Sequence, residues 1–172
     1  FRAGGAQSTA YGSIVASGPH SCILHHRAGD RVVRDGELVL IDAGCELDGY
    51  ASDITRTFPA NGRFTAEQRA AYDIVCAAQQ AAAEQALAGH ALSDPHDAAV
   101  RVLAQGMMDL GLIERRDLDG LIESGGYRRF YMHRTGHWLG LDVHDVGDVN
   151  VPLAPGMMLT IEPGIYIRPA PD

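Results

Sequence analysis

The sequence predicts an α+β fold in which antiparallel strands form a curved sheet and helices pack on its outer face. Three observations lead to this prediction. The apolar run Leu38–Ile41 is short and rich in branched side chains, which favours a buried strand over a helix. Residues 50–57 alternate and are β-branched, which is typical of a second strand. Apolar side chains then recur at helical spacing between Thr65 and Leu110.

Two carboxylates mark the strand pair. Asp42 ends the first strand, and Asp53 lies within the second predicted strand, Tyr50–Thr57. The turn dipeptide Asp48–Gly49 favours a hairpin, so the antiparallel strands are expected to bring both carboxylates together. Neighbouring carboxylates repel each other and are costly to desolvate, so such a pair needs a shared proton, an arginine or a metal ion. An ion pair with Arg56 is the simplest alternative.

A pattern of glycine, acid and glycine occurs twice in the chain, 120 residues apart. Asp35–Gly44 carries it around Asp42, and Pro155–Gly164 carries it around Glu162. Each copy predicts a turn, an apolar strand, an inward-facing acid and a glycine turn. We therefore expect two related half-domains that place Glu162 opposite Asp42 across a site.

Helices are predicted between the two copies. A capping box at Thr65–Gln68 begins a long helix that is expected to end near Ala88, just before Gly89. A second helix is expected over residues 94–110 and a third, short one over residues 116–123. None of them carries a chemical motif, so we assign the helices to packing.

Composition limits the function classes. A chain of 172 residues, 46% of them hydrophobic, can bury the core of one ordinary domain. The net charge of -8 and the lack of basic clusters argue against a nucleic-acid partner. No apolar run reaches the length of a membrane span and no signal peptide is visible, so we expect a soluble, cytoplasmic protein. The three cysteines are widely spaced, which predicts reduced, mostly buried thiols.

Three histidines are concentrated in the stretch before the second copy of the glycine pattern. His133, His137 and His144 lie within twelve residues, and glycines close to His137 on both sides permit a close backbone approach. His137 is therefore a candidate metal ligand. A helical zinc-peptidase motif is rejected, because the general-base glutamate that follows the first histidine of such a motif is replaced by Arg134.

The candidate ligands Asp42, Asp53, His137 and Glu162 supply three carboxylates and one imidazole. Such a hard donor set suits manganese, magnesium, cobalt or zinc. So many carboxylates favour two ions over one, and a pair of divalent ions can activate water and polarise a carbonyl group. The donor set thus predicts a hydrolase.

The remaining histidines differ in their expected roles. His133 and His144 are placed to shuttle a proton or to stabilise a developing oxyanion above the substrate. His25 follows an apolar lead that can set it on the wall of the site. We expect His20 and His26 to be ordinary surface residues.

Four stretches resemble the metallopeptidases of the creatinase and methionine aminopeptidase fold family, and most closely its Xaa-Pro aminopeptidases. They are IDAGCELDGYASDITRTFP from Ile41, NGRFTAEQ from Asn61, HRTGHWLGLDVHDVG from His133 and LTIEPGIYI from Leu159. The resemblance covers almost the whole chain. It implies the pita-bread fold, with two halves related by a pseudo-twofold axis, and metal-dependent release of an N-terminal residue that precedes proline.

The resemblance also implies roles for single residues. Asp42 would be a terminal ligand, Asp53 would bridge two divalent ions, and His137 and Glu162 would be terminal ligands of the second ion. Manganese is the expected metal, with zinc or cobalt as alternatives. The catalytic groups would be His133, His144 and Glu162. The substrate site would be lined by His25, His133, His144 and Tyr166, the last beside the proline pocket.

Two parts of the family pattern have no counterpart in residues 1–172. These are a fifth ligand, a bridging glutamate on a strand after Glu162, and a separate N-terminal domain. We therefore expect an incomplete metallopeptidase catalytic domain, inactive as given, from a homo-oligomeric parent that acts on peptides. A prolidase is one alternative. A non-catalytic binding module and a metal-free hydrolase are disfavoured, because all four ligand positions hold competent residues.

Overall fold

The structure is a computed structural model that describes residues 1–114 and 116–169. Position 115 lies outside the described residues, and so do positions 170–172 at the end of the predicted catalytic domain. The chain divides into two compact units. One unit contains Phe1–Thr65, Trp138–Val146 and the residues from Tyr166 on, and the other contains Ala66–His137 and Gly147–Ile165.

The first unit is built from short antiparallel strands. These are β1 (Ser8–Thr9), β2 (Ile14–Ser17), β3 (Leu38–Ala43), β4 (Cys45–Leu47), β5 (Tyr50–Ala51) and β6 (Ile54–Pro59). One sheet has the strand order β1-β4-β5 and the other the order β2-β3-β6. The predicted strand over Leu38–Ile41 and its antiparallel return are confirmed.

The predicted hairpin turn is also confirmed. Asp48 and Gly49 both have positive φ, 50° and 83°, as a two-residue turn with the right twist requires. Leu47 pairs with Tyr50 on either side of this turn, and the same register continues from β4 and β5 into β3 and β6, where Ala43 pairs with Ile54. The four strands are therefore one long hairpin with an interruption.

The interruption corrects one prediction, because Asp53 is not inside a strand. Ser52 and Asp53 lie between β5 and β6. Opposite them the backbones approach so closely that a Cβ on Gly44 would lie 1.6 Å from the Ser52 carbonyl oxygen. The Ser52 hydroxyl accepts the backbone N–H of Cys45 at 2.9 Å. This side-chain bond distorts the ladder where the alternating pattern alone predicts an unbroken strand.

The second unit contains the helices α1 (Ala66–Gln85), α2 (Asp94–Asp109) and α3 (Leu118–Glu123). All three predicted helices are present. The first ends three residues early, because the Ala86 N–H bonds the Ala83 carbonyl and tightens the last turn. The third begins two residues late, because Asp117 is its N-cap and accepts the Gly120 N–H at 2.8 Å.

Small residues allow α1 and α2 to pack closely. Ala78 and Ala82 are fully buried on α1. On α2 a Cβ at Gly106 would lie 2.4 Å from Ile74 Cγ2, so this crossing needs glycine. Leu103 and Met107 on the same helix are fully buried. The packing role assigned to the helices is confirmed within this unit.

The second copy of the glycine pattern only partly follows the prediction. Gly156 has a positive φ of 91°, as Gly36 has at 79°, so both copies begin with the predicted turn. Residues 157–161 do not continue as a regular strand, so the strand prediction for this copy is wrong. The reason is that two backbone N–H groups beside Glu162, which would bond carbonyl oxygens in a regular strand pair, bond side chains instead.

Two further predictions concern the surface. Cys76 is exposed and Cys22 and Cys45 are half-buried, so the prediction of mostly buried thiols is wrong, although all three are free. Cys76 lies on a face of α1 other than the one that buries Ala78 and Ala82. In the described ranges, no helix is long and apolar enough to cross a membrane.

Candidate functional site

The first unit brings Asp42 and Asp53 together. Asp42 pairs with Thr55 across β3 and β6. Directly opposed residues share a face of the sheet, and Asp53 lies just before β6, two residues from Thr55. One hydroxyl, that of Tyr11, reaches both carboxylates, so Asp53 points to the same side as Asp42. The hairpin register therefore places the two carboxylates as diagonal neighbours, as the sequence predicts.

Tyr11 joins the two carboxylates. Its hydroxyl donates to Asp42 Oδ1 in a short hydrogen bond and also lies 3.0 Å from Asp53 Oδ1. Burial raises the pKa of Tyr11 above its ordinary value, and the two neighbouring carboxylates raise it further. The phenol thus stays a neutral donor. Sequence reasoning missed this residue, because it lies three positions before β2 in a polar segment without readable periodicity.

The alternative partner, Arg56, is turned away from this pair. Arg56 pairs with Ile41 in the ladder and so belongs to the other face of the sheet. Its guanidinium donates to the carbonyl oxygen of Thr55 at 2.8 Å. The simple ion pair that the sequence leaves open is therefore not what this geometry favours.

The second unit brings His137 and Glu162 together. His137 Nε2 lies 3.2 Å from Glu162 Oε1, and both side chains are partly exposed. The Thr160 hydroxyl donates to the same Glu162 oxygen at 2.9 Å. A carboxylate oxygen and an imidazole nitrogen thus lie side by side, with a hydroxyl that fixes the carboxylate.

A short antiparallel pairing of residues 135–137 with residues 160–162 holds this second pair. We call it the half-ladder, because only half of its backbone bonds form. The Thr160 N–H donates to the His137 carbonyl at 2.9 Å, and the Glu162 N–H donates to the Thr135 carbonyl at 2.7 Å. The N–H of His137 bonds the Thr160 hydroxyl instead of a carbonyl, at 3.0 Å. Gly136 makes this contact possible, since a Cβ there would lie 1.9 Å from the Thr160 carbonyl oxygen.

Thr135 connects the half-ladder to His96 and Tyr131. Its N–H donates to His96 Nδ1 at 3.2 Å, and its hydroxyl lies 3.0 Å from the same nitrogen. The Tyr131 hydroxyl lies 2.7 Å from the Thr135 hydroxyl, and both residues are almost fully buried. Sequence reasoning missed this cluster, because His96 sits in the first turn of α2 among residues that read as packing.

A cavity of about 380 Å³ lies in the second unit beside this cluster. His133 lines it, as does His96. The His133 ring packs edge-on against Tyr131, with 4.9 Å between ring centroids, and its Nδ1 lies 2.7 Å from the Arg134 carbonyl oxygen. The geometry therefore gives one predicted substrate-site histidine a concave, partly aromatic setting.

The first unit holds the other predicted substrate-site residues. His25 and His144 are neighbours, with ring centroids 6.5 Å apart and ring planes at 65°. Both are exposed, and Tyr166 is half-buried. The structure thus groups two of these three side chains, and the substrate roles given to them stay predictions.

The candidate ligands come as one pair in each unit. Asp42 with Asp53 offers carboxylate oxygens, and His137 with Glu162 offers an imidazole nitrogen and a carboxylate. Among the residues that the structure describes, no group of three or more His, Cys, Asp or Glu side chains is arranged to hold a metal ion. The donor types fit a hard divalent ion. That all four residues share one centre stays a prediction.

Comparisons with known proteins cover nearly the whole chain. The chain is 51% identical to the Xaa-Pro aminopeptidase of Haemophilus influenzae over 171 residues, which is 97% of this chain and 40% of that protein. Aminopeptidase PepP of Pseudomonas aeruginosa matches with a TM-score of 0.94 at 55% identity, over 98% of this chain and 39% of that one. Zinc-substituted Escherichia coli aminopeptidase P in complex with product gives a TM-score of 0.92 at 47% identity, over 97% and 39%.

The chain therefore spans about 40% of the length of these relatives. The structural match confirms the predicted pita-bread fold with its mixed helices and antiparallel sheets. The family model that matches is metallopeptidase family M24, and it extends over residues 1–171. On the match to residues 1–171 and the identity to its members, the chain belongs to metallopeptidase family M24.

Proposed function

We propose that the protein is a metal-dependent aminopeptidase that releases the N-terminal residue from peptides with proline at the second position. One observation carries this proposal. Two ready-made pairs of ligand-type side chains lie in a chain that Xaa-Pro aminopeptidases match along nearly its whole length. Prolidase is the alternative within the same chemistry, and peptide length separates the two activities.

We propose that Asp42, Asp53, His137 and Glu162 hold two divalent ions, with manganese as the native metal. Asp53 would bridge the ions and Asp42 would bind one of them, while His137 and Glu162 would bind the other. The donor set and the resemblance to the family support this assignment. These residues would hold the ions, and bound divalent ions would supply a nucleophile at neutral pH and polarise the carbonyl group of the substrate.

The protein's own residues would complete the chemistry. His133 and His144 would move a proton to the leaving proline nitrogen or donate to the developing oxyanion. Glu162 would serve both as ligand and as catalytic carboxylate. His25 and Tyr166 would line the substrate site, where the ring of Tyr166 offers an apolar face to the proline ring. The rigid ring of proline at the second position suits contact with a flat aromatic face.

We further propose that residues 1–172 form one metallopeptidase catalytic domain and that the protein works as a homo-oligomer. The match of one family model to residues 1–171 supports the first part. The resemblance to Xaa-Pro aminopeptidases supports the second, and light scattering on the product of the complete gene tests it.

Peptide assays on the product of the complete gene test the activity. The protein is freed of metal with a chelator and then assayed with and without Mn²⁺ on matched peptides that carry proline or alanine at the second position. We expect cleavage of the proline peptide alone, only after the metal is returned. Equal cleavage of both peptides, or full activity in excess chelator, would contradict the proposal.

Peptide length decides between the two readings of the site. Xaa-Pro dipeptides and Xaa-Pro-Xaa tripeptides are compared at equal concentration under the same metal loading. An aminopeptidase cleaves the tripeptide at least as well as the dipeptide. A protein that cleaves the dipeptide alone is a prolidase.

A further inference from the structure

The half-ladder that holds His137 and Glu162 lacks the backbone bond that the Thr135 N–H would make in a regular pair. In a regular antiparallel pair, two opposed residues exchange both N–H···O bonds. Thr135 and Glu162 make only one of these, from the Glu162 N–H to the Thr135 carbonyl at 2.7 Å. The Thr135 N–H donates to His96 Nδ1 at 3.2 Å instead. An imidazole nitrogen from α2 thus takes the place of a backbone carbonyl.

The direction of the surrounding bonds follows from this contact. A backbone N–H can only donate, so Nδ1 of His96 must be an acceptor and the imidazole must be neutral. The Thr135 hydroxyl, 3.0 Å from Nδ1, then donates to it as well. The Tyr131 hydroxyl, 2.7 Å from the Thr135 hydroxyl, donates in turn to that oxygen. The hydrogen bonds run from Tyr131 through Thr135 to His96.

Burial makes this cluster costly to break. Thr135 is 2% exposed and Tyr131 is fully buried. A buried donor that loses its acceptor is left desolvated without compensation, so the cluster strongly favours one position of the Thr135 backbone. His137 follows Thr135 by two residues, and the Thr135 carbonyl holds the Glu162 N–H at 2.7 Å. The position of Thr135 therefore sets the position of both candidate ligands.

We propose that His96 is a positioning residue, which fixes through Thr135 the spacing between the ligands His137 and Glu162. The inference rests on the proposed function, because it assigns His96 a role toward the metal that these two ligands would bind. The hydrogen bonds of His96 Nδ1 go to Thr135 and not to either ligand. Its effect passes through one peptide group.

Three variants of the product of the complete gene test the inference. His96→Phe keeps a flat ring but removes the acceptor, whereas His96→Asn keeps an acceptor near the position of Nδ1. His90→Gln is the matched control, since the His90 imidazole lies 3.5 Å from Asp94 and is a half-buried histidine in the same region. Mn²⁺ affinity is measured by calorimetry, and amide hydrogen exchange is measured at Thr160 and Glu162 without metal.

We expect His96→Phe to weaken Mn²⁺ binding by about 10- to 100-fold, the usual scale for losing a group that orients a ligand. Exchange at the Glu162 amide should accelerate by about tenfold, the scale of one net hydrogen bond. His96→Asn should restore most of both values, and His90→Gln should change neither. Rescue by an acceptor separates positioning from mere filling of space.

Different failures point to different conclusions. A folded His96→Phe protein with the parent's Mn²⁺ affinity would overturn the inference and leave the proposed function intact. Failure of His96→Asn to rescue the affinity lost in His96→Phe would also overturn it. A parent protein that binds no divalent ion would overturn the proposed function, and the exchange data would still report whether His96 holds the half-ladder.

Discussion

The phenol oxygen of Tyr11 lies 3.0 Å from Asp53 Oδ1, and the same hydroxyl donates to Asp42. One hydroxyl hydrogen is thus shared between two carboxylates that would otherwise repel each other. Burial and the two carboxylates hold the pKa of Tyr11 above its ordinary value, which keeps the hydroxyl protonated and able to donate.

Removing this donor should destabilise the metal-free protein. Hydrogen bonds to charged groups contribute about 1.5–3 kcal/mol, so we expect Tyr11→Phe to lower the free energy of unfolding by that amount in the presence of chelator. Urea unfolding measures it. Tyr50→Phe is the control, because Tyr50 is 64% exposed, and it should change the value by less than about 0.5 kcal/mol. Equal effects of both variants would show that the hydroxyl of Tyr11 does not bridge the pair.

Replacing the proposed bridging ligand should nearly abolish hydrolysis. An amide cannot neutralise two cations as a carboxylate does, so Asp53→Asn should lose both activity and Mn²⁺ binding. Asp48→Asn is the matched control, since Asp48 occupies the hairpin turn with φ 50°, a position that asparagine tolerates. Substantial activity in Asp53→Asn at saturating metal would contradict the bridging role.

A substrate-site histidine should behave differently from a ligand. We expect His144→Ala to keep Mn²⁺ affinity and to lower kcat by about 10²-fold or more, the scale for losing one proton-transfer or oxyanion group. Calorimetry and steady-state kinetics on the same preparation separate the two quantities. His20→Ala serves as the control for a histidine without an assigned role. Loss of metal from His144→Ala would move this residue into the ligand set.

Gly136 is required by the backbone contact next to it. A Cβ there would lie 1.9 Å from the Thr160 carbonyl oxygen, so Gly136→Ala must push the half-ladder apart. Overpacking of this kind costs about 1–3 kcal/mol, and urea unfolding should show it. Gly12→Ala is the control, because nothing lies within 4 Å of a Cβ at that position. A Gly136→Ala protein as stable as the parent would mean that the two segments are not held this closely.

The sequence predicted the parts of the site that local patterns encode. The turn at Asp48–Gly49 fixes the register, and the register places Asp42 and Asp53 on one face. Side-chain replacements for backbone bonds were beyond such patterns. The Ser52 hydroxyl breaks the second strand, and His96 replaces a carbonyl beside Thr135. Both side-chain bonds depend on which residues are neighbours in three dimensions, and the periodicity of a sequence does not show this.

The same limit explains two wrong predictions, one for a segment and one for a single cysteine. Residues 157–161 have the composition of a strand, yet half of the available ladder bonds beside them go to hydroxyl and imidazole groups. The exposed position of Cys76 follows from the small residues Ala78 and Ala82, which turn a neighbouring face of α1 inward. A hydrophobicity pattern ranks cysteine above alanine, whereas close helix packing favours the smaller side chain.

The neutral state of His96 should make folding stability depend on pH. Burial lowers the pKa of His96 below its ordinary value, and Arg134, Arg128 and His133 lower it further, while Asp97 acts in the opposite direction. The unfolded chain titrates near 6.5, so between that pH and the lower folded pKa the unfolded state binds more protons. The contribution of His96 is therefore fully present above about pH 6.5 and is lost as pH falls through this window.

A comparison of two proteins isolates this contribution. We expect the free energy of unfolding of the parent, measured in urea with chelator, to fall more steeply between about pH 7.5 and pH 5 than that of His96→Asn. Asparagine keeps an acceptor for the Thr135 N–H but cannot be protonated, so the other titrating groups cancel in the difference. Parallel pH profiles for the two proteins would show that His96 takes up its proton equally in the folded and the unfolded chain, and that its Nδ1 is not the acceptor on which the half-ladder depends.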